Sequence, residues 1–512
     1  MKTSIIAGVV AALFLPLTAM ADSPIADITK TWTYNHTTSG VTSEITAFDS
    51  LSNTIWVAGV VGVDVLNLSD GSLLQHIDTT SYGSINSIAI HNGVAAFAIE
   101  SSTRSNPGIV QFYDTSSRTL SSGINTITVG ALPDMLTFTA DGSKLLVANE
   151  ATPNYIKDVI NDYGTRVGTT TPRNYAASAT DPTGSVSVID MNTRTVAATA
   201  GFAGVTQTGS HIRTNTGMDF EPEYIAVNAS GTKAYVTLQE ANAIGVLDLT
   251  TNSFEKVVGL GVKDFSLAGN SIDPLNNGTI SFISPDVKGL YMPDGIAAYE
   301  SNGNTFLVMA NEGDFREDDA DRSAAGTLGA AAPLNNLRVS NTDSSAGDLY
   351  AVGGRSFSIR DADGNLVFDS GDFLDRKAAE LGIYDDARSR DKGVEPEGVT
   401  LFNINGSTIA AIGLERTLKS AVALYDVTDP LNATFLDMIV TDGDLAPEGL
   451  SAFMANGTLY LSVANESSNT TSLYTVTPVP EPESAALLLS GLGLLAWTAR
   501  RQNKKTDHHQ RT

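Results

Sequence analysis

Proline followed by a carboxylate recurs in this 512-residue chain at Pro133-Asp134, Pro222-Glu223, Pro293-Asp294, Pro396-Glu397 and Pro447-Glu448. Each pair is answered by a glutamate at the far end of a second apolar run. These are Glu150, Glu240, Glu312, Glu415 and Glu466, placed 17, 18, 19, 19 and 19 residues after the proline. Carboxylates gathered in one place repel one another, which raises their pKa values or recruits a cation. Calcium is the natural guest, because it takes about six to eight hard oxygen ligands and tolerates irregular geometry. The richest motifs nominate Glu221, Glu223, Asp294, Glu312, Asp314, Glu395 and Glu397 as ligands, with Arg316, Lys392 and Arg416 nearby in sequence. The competing use is structural: the same carboxylates can cap turns or accept backbone N–H bonds at the junctions between units.

The elements that position them are short strands. Each copy runs from its proline through about six strand-like residues, turns at a polar site, and climbs through a second apolar run to its glutamate. Two weaker copies lie upstream, Ile85-Asn86-Ser87-Ile88 leading to Ile99-Glu100, and Glu44-Ile45-Thr46-Ala47-Phe48 leading to Trp56-Val57-Ala58-Gly59. A third strand follows most copies, as at Ser185-Val186-Ser187-Val188-Ile189-Asp190 or Val422-Ala423-Leu424-Tyr425-Asp426. Such units repeating every 40 to 50 residues or so predict an all-β fold, a β-propeller whose blades stack around a channel. Seven copies suggest seven blades, although six or eight fit as well. Rotation about the channel should bring Asp134, Glu223, Asp294, Glu397 and Glu448 into one ring and the terminal glutamates into another on the same face.

The longest insertions, residues 151–181 and 313–392, are expected as loops on one face. The second holds the acidic stretch Glu317-Asp318-Asp319 with Asp321. It also holds a hairpin of residues 356–360 and 366–368, and a short helix near residues 373–381. Asp361-Ala362-Asp363-Gly364-Asn365 has its glycine at the fourth position and no glutamate at the twelfth, so it reads as a hairpin turn rather than an EF-hand loop.

Composition narrows the chemistry further. The net charge of −26 disfavours nucleic acid as a partner. The absence of cysteine removes thiolate metal sites and thiol catalysis. His36, His76, His91 and His211 are scattered without metal-ligand spacing, and no Gly-x-Ser-x-Gly, Walker A or Gly-x-Gly-x-x-Gly run occurs.

The ends read as targeting segments. Residues 1–21 carry Lys2, an apolar run and the small–x–small pattern Ala19-Met20-Ala21, as a secretory signal does. At the other end, Pro480-Glu481-Pro482 precedes fifteen mostly small or apolar residues, then Arg500-Arg501 and a polar tail over 502–512. Such a stretch is marginal for a permanent span of a hydrocarbon core about 30 Å thick. Residues 478–501 resemble the PEP-CTERM sorting signal of Gram-negative bacteria. That resemblance implies recognition by an exosortase, transient inner-membrane contact through the short helix, removal of that helix, and a place in the envelope or biofilm matrix.

The body, about residues 27–477, resembles the choice-of-anchor I family. The residues that carry this are Leu132-Pro133-Asp134-Met135-Leu136-Thr137-Phe138, Ala310-Asn311-Glu312-Gly313-Asp314, Arg355-Ser356-Phe357-Ser358-Ile359 and Asp391-Lys392-Gly393-Val394-Glu395-Pro396-Glu397-Gly398-Val399. The family implies a surface propeller and no settled activity. Glu-Pro-Glu-Gly also resembles strands of calcium-dependent propeller phytases. The expected function is a binding module of the envelope, with calcium as a bridge and exopolysaccharide or a surface protein as partner. The alternative is a calcium-dependent phosphoesterase.

Overall fold

Runs such as Thr54–Gly59 and Ser185–Asp190, rich in β-branched residues and buried on both faces, form the middle strands of antiparallel sheets. Outer strands such as Leu73–Asp78 and Thr195–Ala200 are much more exposed. The computed structural model describes residues 23–153, 181–213, 220–314 and 321–480. Two units divide the chain: Asp27–Thr477, and the terminal stretches Met1–Ala26 with Pro478–Thr512. The expectations for Ala19, Ala21, Glu481, Pro482, Arg500 and Arg501 lie outside the described residues, as do those for Arg316, Glu317-Asp318-Asp319 and most of 151–181.

The fold is all-β and propeller-like. Among the described residues, seven sheets contain antiparallel meanders of four strands. Their first strands are Ile45–Asp49, Ile85–His91, Pro133–Phe138, Pro222–Val227, Ile296–Ser301, Pro396–Ile404 and Pro447–Ala455. Each of these touches the next, and the last touches the first, so they close a cycle. The core is divided to match. Trp56, Val63 and Val65 of one sheet pack on Ile88, Phe97 and Tyr113 of the next. Val308, Phe357 and Ile359 likewise pack on Ile412, Ala423 and Tyr425. A sheet buried on both faces needs a neighbour on each side, and a closed cycle supplies one to all of them.

The last sheet takes its fourth strand from the other end of the chain: Ile25–Asn35 pairs with Thr470–Pro478. Just past that strand His36 is fully buried, its Nδ1 2.8 Å from Asp64 Oδ2 and its Nε2 2.9 Å from Thr471 Oγ1. His76 Nδ1 meets the other Asp64 oxygen at 2.8 Å. Two histidines that look scattered in sequence therefore converge on one buried aspartate, across the seam that closes the cycle.

The hairpin expected within the second insertion forms, but as the third and fourth strands of the fifth sheet, Ser356–Asp361 and Leu366–Asp369. Phe357 and Ile359 face the core, which a surface loop would not require. Asp361 caps the turn, accepting from the N–H groups of Asp363 and Asn365 at 2.9 Å each. The short helix spans Phe373–Glu380. Part of the remaining insertion packs, together with the segment before the fifth sheet, on a small core in which Phe265, Ile272 and Val287 meet Leu337, Val339 and Leu349.

Candidate functional site

The Pro–acid motif works through a local irregularity. Pro133 stands opposite Asn149, Pro222 opposite Leu238, Pro396 opposite Leu414 and Pro447 opposite Asn465, with a register shift just after each proline. Proline has no N–H to give the ladder, and a bulge beside it re-aims the side chain that follows. The preceding residue is left-handed in four copies: Leu132, Met292, Glu395 and Ala446, with φ between 43° and 57°. Its carbonyl accepts the N–H of the terminal glutamate. The distances are 2.9 Å for Glu150 to Leu132, 2.9 Å for Glu415 to Glu395 and 2.8 Å for Glu466 to Ala446. At Met292 the donor is Gly313, one residue beyond Glu312, at 2.9 Å. The recurring spacing is thus the length of one hairpin closed by that bond.

Successive acids are brought together by close backbone approach. A Cβ at Gly295 would lie 2.3 Å from the carbonyl oxygen of Glu397, one at Gly398 1.9 Å from that of Glu448, and one at Gly449 2.2 Å from that of Glu44. The side chains consequently share one electrostatic neighbourhood. Burial, with Glu466 and Asp134, pushes Glu44 up to about 8. Burial, Glu150 and Glu100 do the same for Asp134. Burial first and then Glu240 and Asp294 hold Glu223 well above the usual range, while Glu415, Glu312 and Glu448 act similarly on buried Glu397. Tyr224, which no sequence motif singles out, is raised by burial and by Asp294, Glu448, Asp134 and Glu397 together. Only a phenol close to several sheets' acids at once would respond to all four.

Two triads stand out. Asp294, Glu312 and Glu397 each bring one carboxylate oxygen within 4.8 Å of the others, and so do Glu312, Glu395 and Glu415. The second is threaded with cations. Lys392 Nζ lies 2.5 Å from Glu312 Oε1 and 3.1 Å from Glu395 Oε2. Arg388 Nε meets Glu395 Oε1 at 2.6 Å, and Arg416 Nη2 meets Glu415 Oε1 at 2.5 Å. Although burial alone would raise it, these three cations hold Glu395 down at about 2. The first triad differs: the Oε2 atom of Glu397 is buried and accepts no hydrogen bond among the described residues, and the same holds for Oε2 of Glu223 beside Asp294.

The nominated ligands therefore divide. Asp294, Glu312 and Glu397 meet in one triad, and Glu395 joins Glu312 in the other. Glu223 is a neighbour of Asp294 outside both groups. Asp314 lies 3.8 Å from Lys392 Nζ. Glu221 is buried at the entry to its strand and belongs to neither triad. Asp321, from the acidic stretch, pairs instead with buried Arg213 at 2.8 Å. Arg388 escapes sequence reasoning because it sits on a short 3-10 turn, Asp386–Arg388, with no motif around it. Its position seven residues before Glu395 is the only trace the sequence carries.

Residues 44–430 match the profile of the choice-of-anchor I domain, and residues 478–502 match the PEP-CTERM protein-sorting motif. No curated protein matches the chain in sequence. Solved structures of similar shape include the hydrazine synthase of Kuenenia stuttgartiensis, at 10% identity and TM-score 0.48, over 85% of this chain and 96% of that one. Another is a chain of a mitotic checkpoint complex, at 11% identity and TM-score 0.45, over 94% of this chain and 100% of that one. The chain belongs to the choice-of-anchor I family, and its sorting motif makes it an exported, envelope-associated surface protein of the kind an exosortase recognises.

Proposed function

We propose that this choice-of-anchor I protein is a calcium-dependent binding module of the cell envelope, whose partner is extracellular polysaccharide or another surface protein. The observation that carries the reading is the triad of Asp294, Glu312 and Glu397, with oxygens within 4.8 Å of one another. Three carboxylates held together with little access to water repel, and a divalent cation turns that repulsion into attraction. Calcium suits the set because every ligand is a hard oxygen and the sheets impose no octahedral symmetry. When bound, the ion would supply a positive centre that bridges the ring to an anionic or hydroxyl-rich partner. The chain's own part is to hold the oxygens in place, through the bulge after Pro396 and the close approach of Gly295 to the Glu397 carbonyl.

The test is calcium titration by calorimetry on the exported chain, with Glu312→Gln/Glu397→Gln alongside. Binding that disappears in the double variant supports the reading; equal affinity in both rules this triad out.

The phosphoesterase reading draws on one observation, the presence of Lys392, Arg388 and Arg416 beside the carboxylates. All three are engaged by glutamates, so a phosphate would have to displace an existing ion pair, and the binding reading is preferred. Phosphate release from phytate that appears with calcium and vanishes with chelator would reverse that preference.

A further inference from the structure

The two triads share Glu312, yet their surroundings differ. Lys392 is 6% exposed, and its ammonium is surrounded by oxygen: Glu312 Oε1 at 2.5 Å, the Gly313 carbonyl at 2.5 Å, Glu395 Oε2 at 3.1 Å and Asp314 Oδ1 at 3.8 Å. Carbonyl and carboxylate oxygens converging on one point are the donor set a hard metal ion takes. With Arg388 on Glu395 and Arg416 on Glu415, the second triad has three carboxylates matched by three cations. No ion pair among the described residues includes Asp294 or Glu397.

We infer that Lys392 is the resident cation of the Glu312–Glu395–Glu415 triad, seated where a metal ion would otherwise bind, and that it confines metal to the Asp294–Glu312–Glu397 triad. A tethered ammonium cannot diffuse away, so the second triad stays neutralised whatever the calcium concentration. Because Glu312 belongs to both, Lys392 also draws charge from the first triad and weakens the ion held there. Lys392 is thus a residue that sets the number and affinity of bound cations.

The inference rests on the calcium reading only for the wild-type count; the difference between variant and wild type is independent of it. Bound calcium is counted by equilibrium dialysis with calcium-45 on the full exported chain and on Lys392→Met and Lys392→Gln. Each variant is expected to hold one more ion per chain than the wild type, and adding Glu415→Gln to Lys392→Met should remove the extra one. A wild type without calcium and a Lys392→Met chain with one ion would overturn the proposed function and uphold Lys392 as the resident cation of the Glu312–Glu395–Glu415 triad. Folded variants with the wild-type count would overturn the inference. Should Lys392→Met unfold in chelator, melting in calcium decides: the inference expects calcium to raise its Tm more than that of the wild type, and no rescue counts against it.

Discussion

Gly398 lies against the carbonyl oxygen of Glu448 so closely that a Cβ on Gly398 would stand 1.9 Å from it. Its φ is not in the left-handed region, so the demand for glycine here is one of space between neighbouring first strands. Gly398→Ala should push the two strands apart and cost about 1–3 kcal/mol, as overpacking does. Gly201→Ala, with no atom within 4 Å of its Cβ position, is the control and should melt like the wild type. Thermal melts of both variants check this, and a Gly398→Ala chain with unchanged Tm would mean that the inner strands are not in contact.

The calcium-free protein should have a stability maximum in mildly acidic solution. Glu44 and Asp134 titrate at about 8 in the fold, against ordinary values of 4.5 and 3.8. The folded chain therefore holds protons that the unfolded chain has released between those values, and stability falls as pH rises toward 8. Glu395 has the opposite sign: held at about 2 against 4.5, it contributes above 4.5 and that contribution is lost as pH falls toward 2. Tm measured in chelator should accordingly be higher near pH 5 to 6 than at pH 9, and should drop again below pH 4.5. A Tm that climbs from pH 6 to pH 9 would contradict the buried, proton-holding ring.

Asp64 secures the seam. It accepts from Ser39 Oγ at 2.5 Å as well as meeting both histidines. Asp64→Ala would leave Nδ1 of the fully buried His36 ring without its partner, at a cost of about 1–3 kcal/mol. The loosened element is the strand Ile25–Asn35, so tryptic cleavage after Lys30 should accelerate more than cleavage elsewhere. Uniform cleavage rates would show that His36 and Asp64 do not fasten this strand.

The tail should act without the body. Replacing Pro480, Glu481 and Pro482 by alanine is expected to leave the chain uncleaved in the inner-membrane fraction, with the fold of Asp27–Thr477 unchanged. Fractionation with circular dichroism of the recovered protein measures both. Normal release of the triple variant would show that the motif is not what directs sorting.

The amino-acid sequence by itself determines the hairpins and the tail. The Pro–acid to glutamate repeat spells out a hairpin of fixed length, because the bond from Glu415 N–H to the Glu395 carbonyl sets where the second strand must end. Strand periodicity and turn residues are local, and locality is what a sequence records well. The tail is likewise legible, since proline, apolar run and basic end are read by composition and order alone.

What folding decided is which acids meet and which are already neutralised. Asp294, Glu312 and Glu397 come from two sheets and meet only because the cycle closes with glycine-width spacing. Lys392 and Arg388 enter from a loop whose path no periodicity dictates, and they separate one carboxylate triad from the other. His36 and Thr471 are 435 residues apart and become neighbours when the first strand completes the last sheet. A sequence states which charges are present, whereas the energy of a charge depends on burial and on distances of a few ångströms, which only the tertiary structure sets.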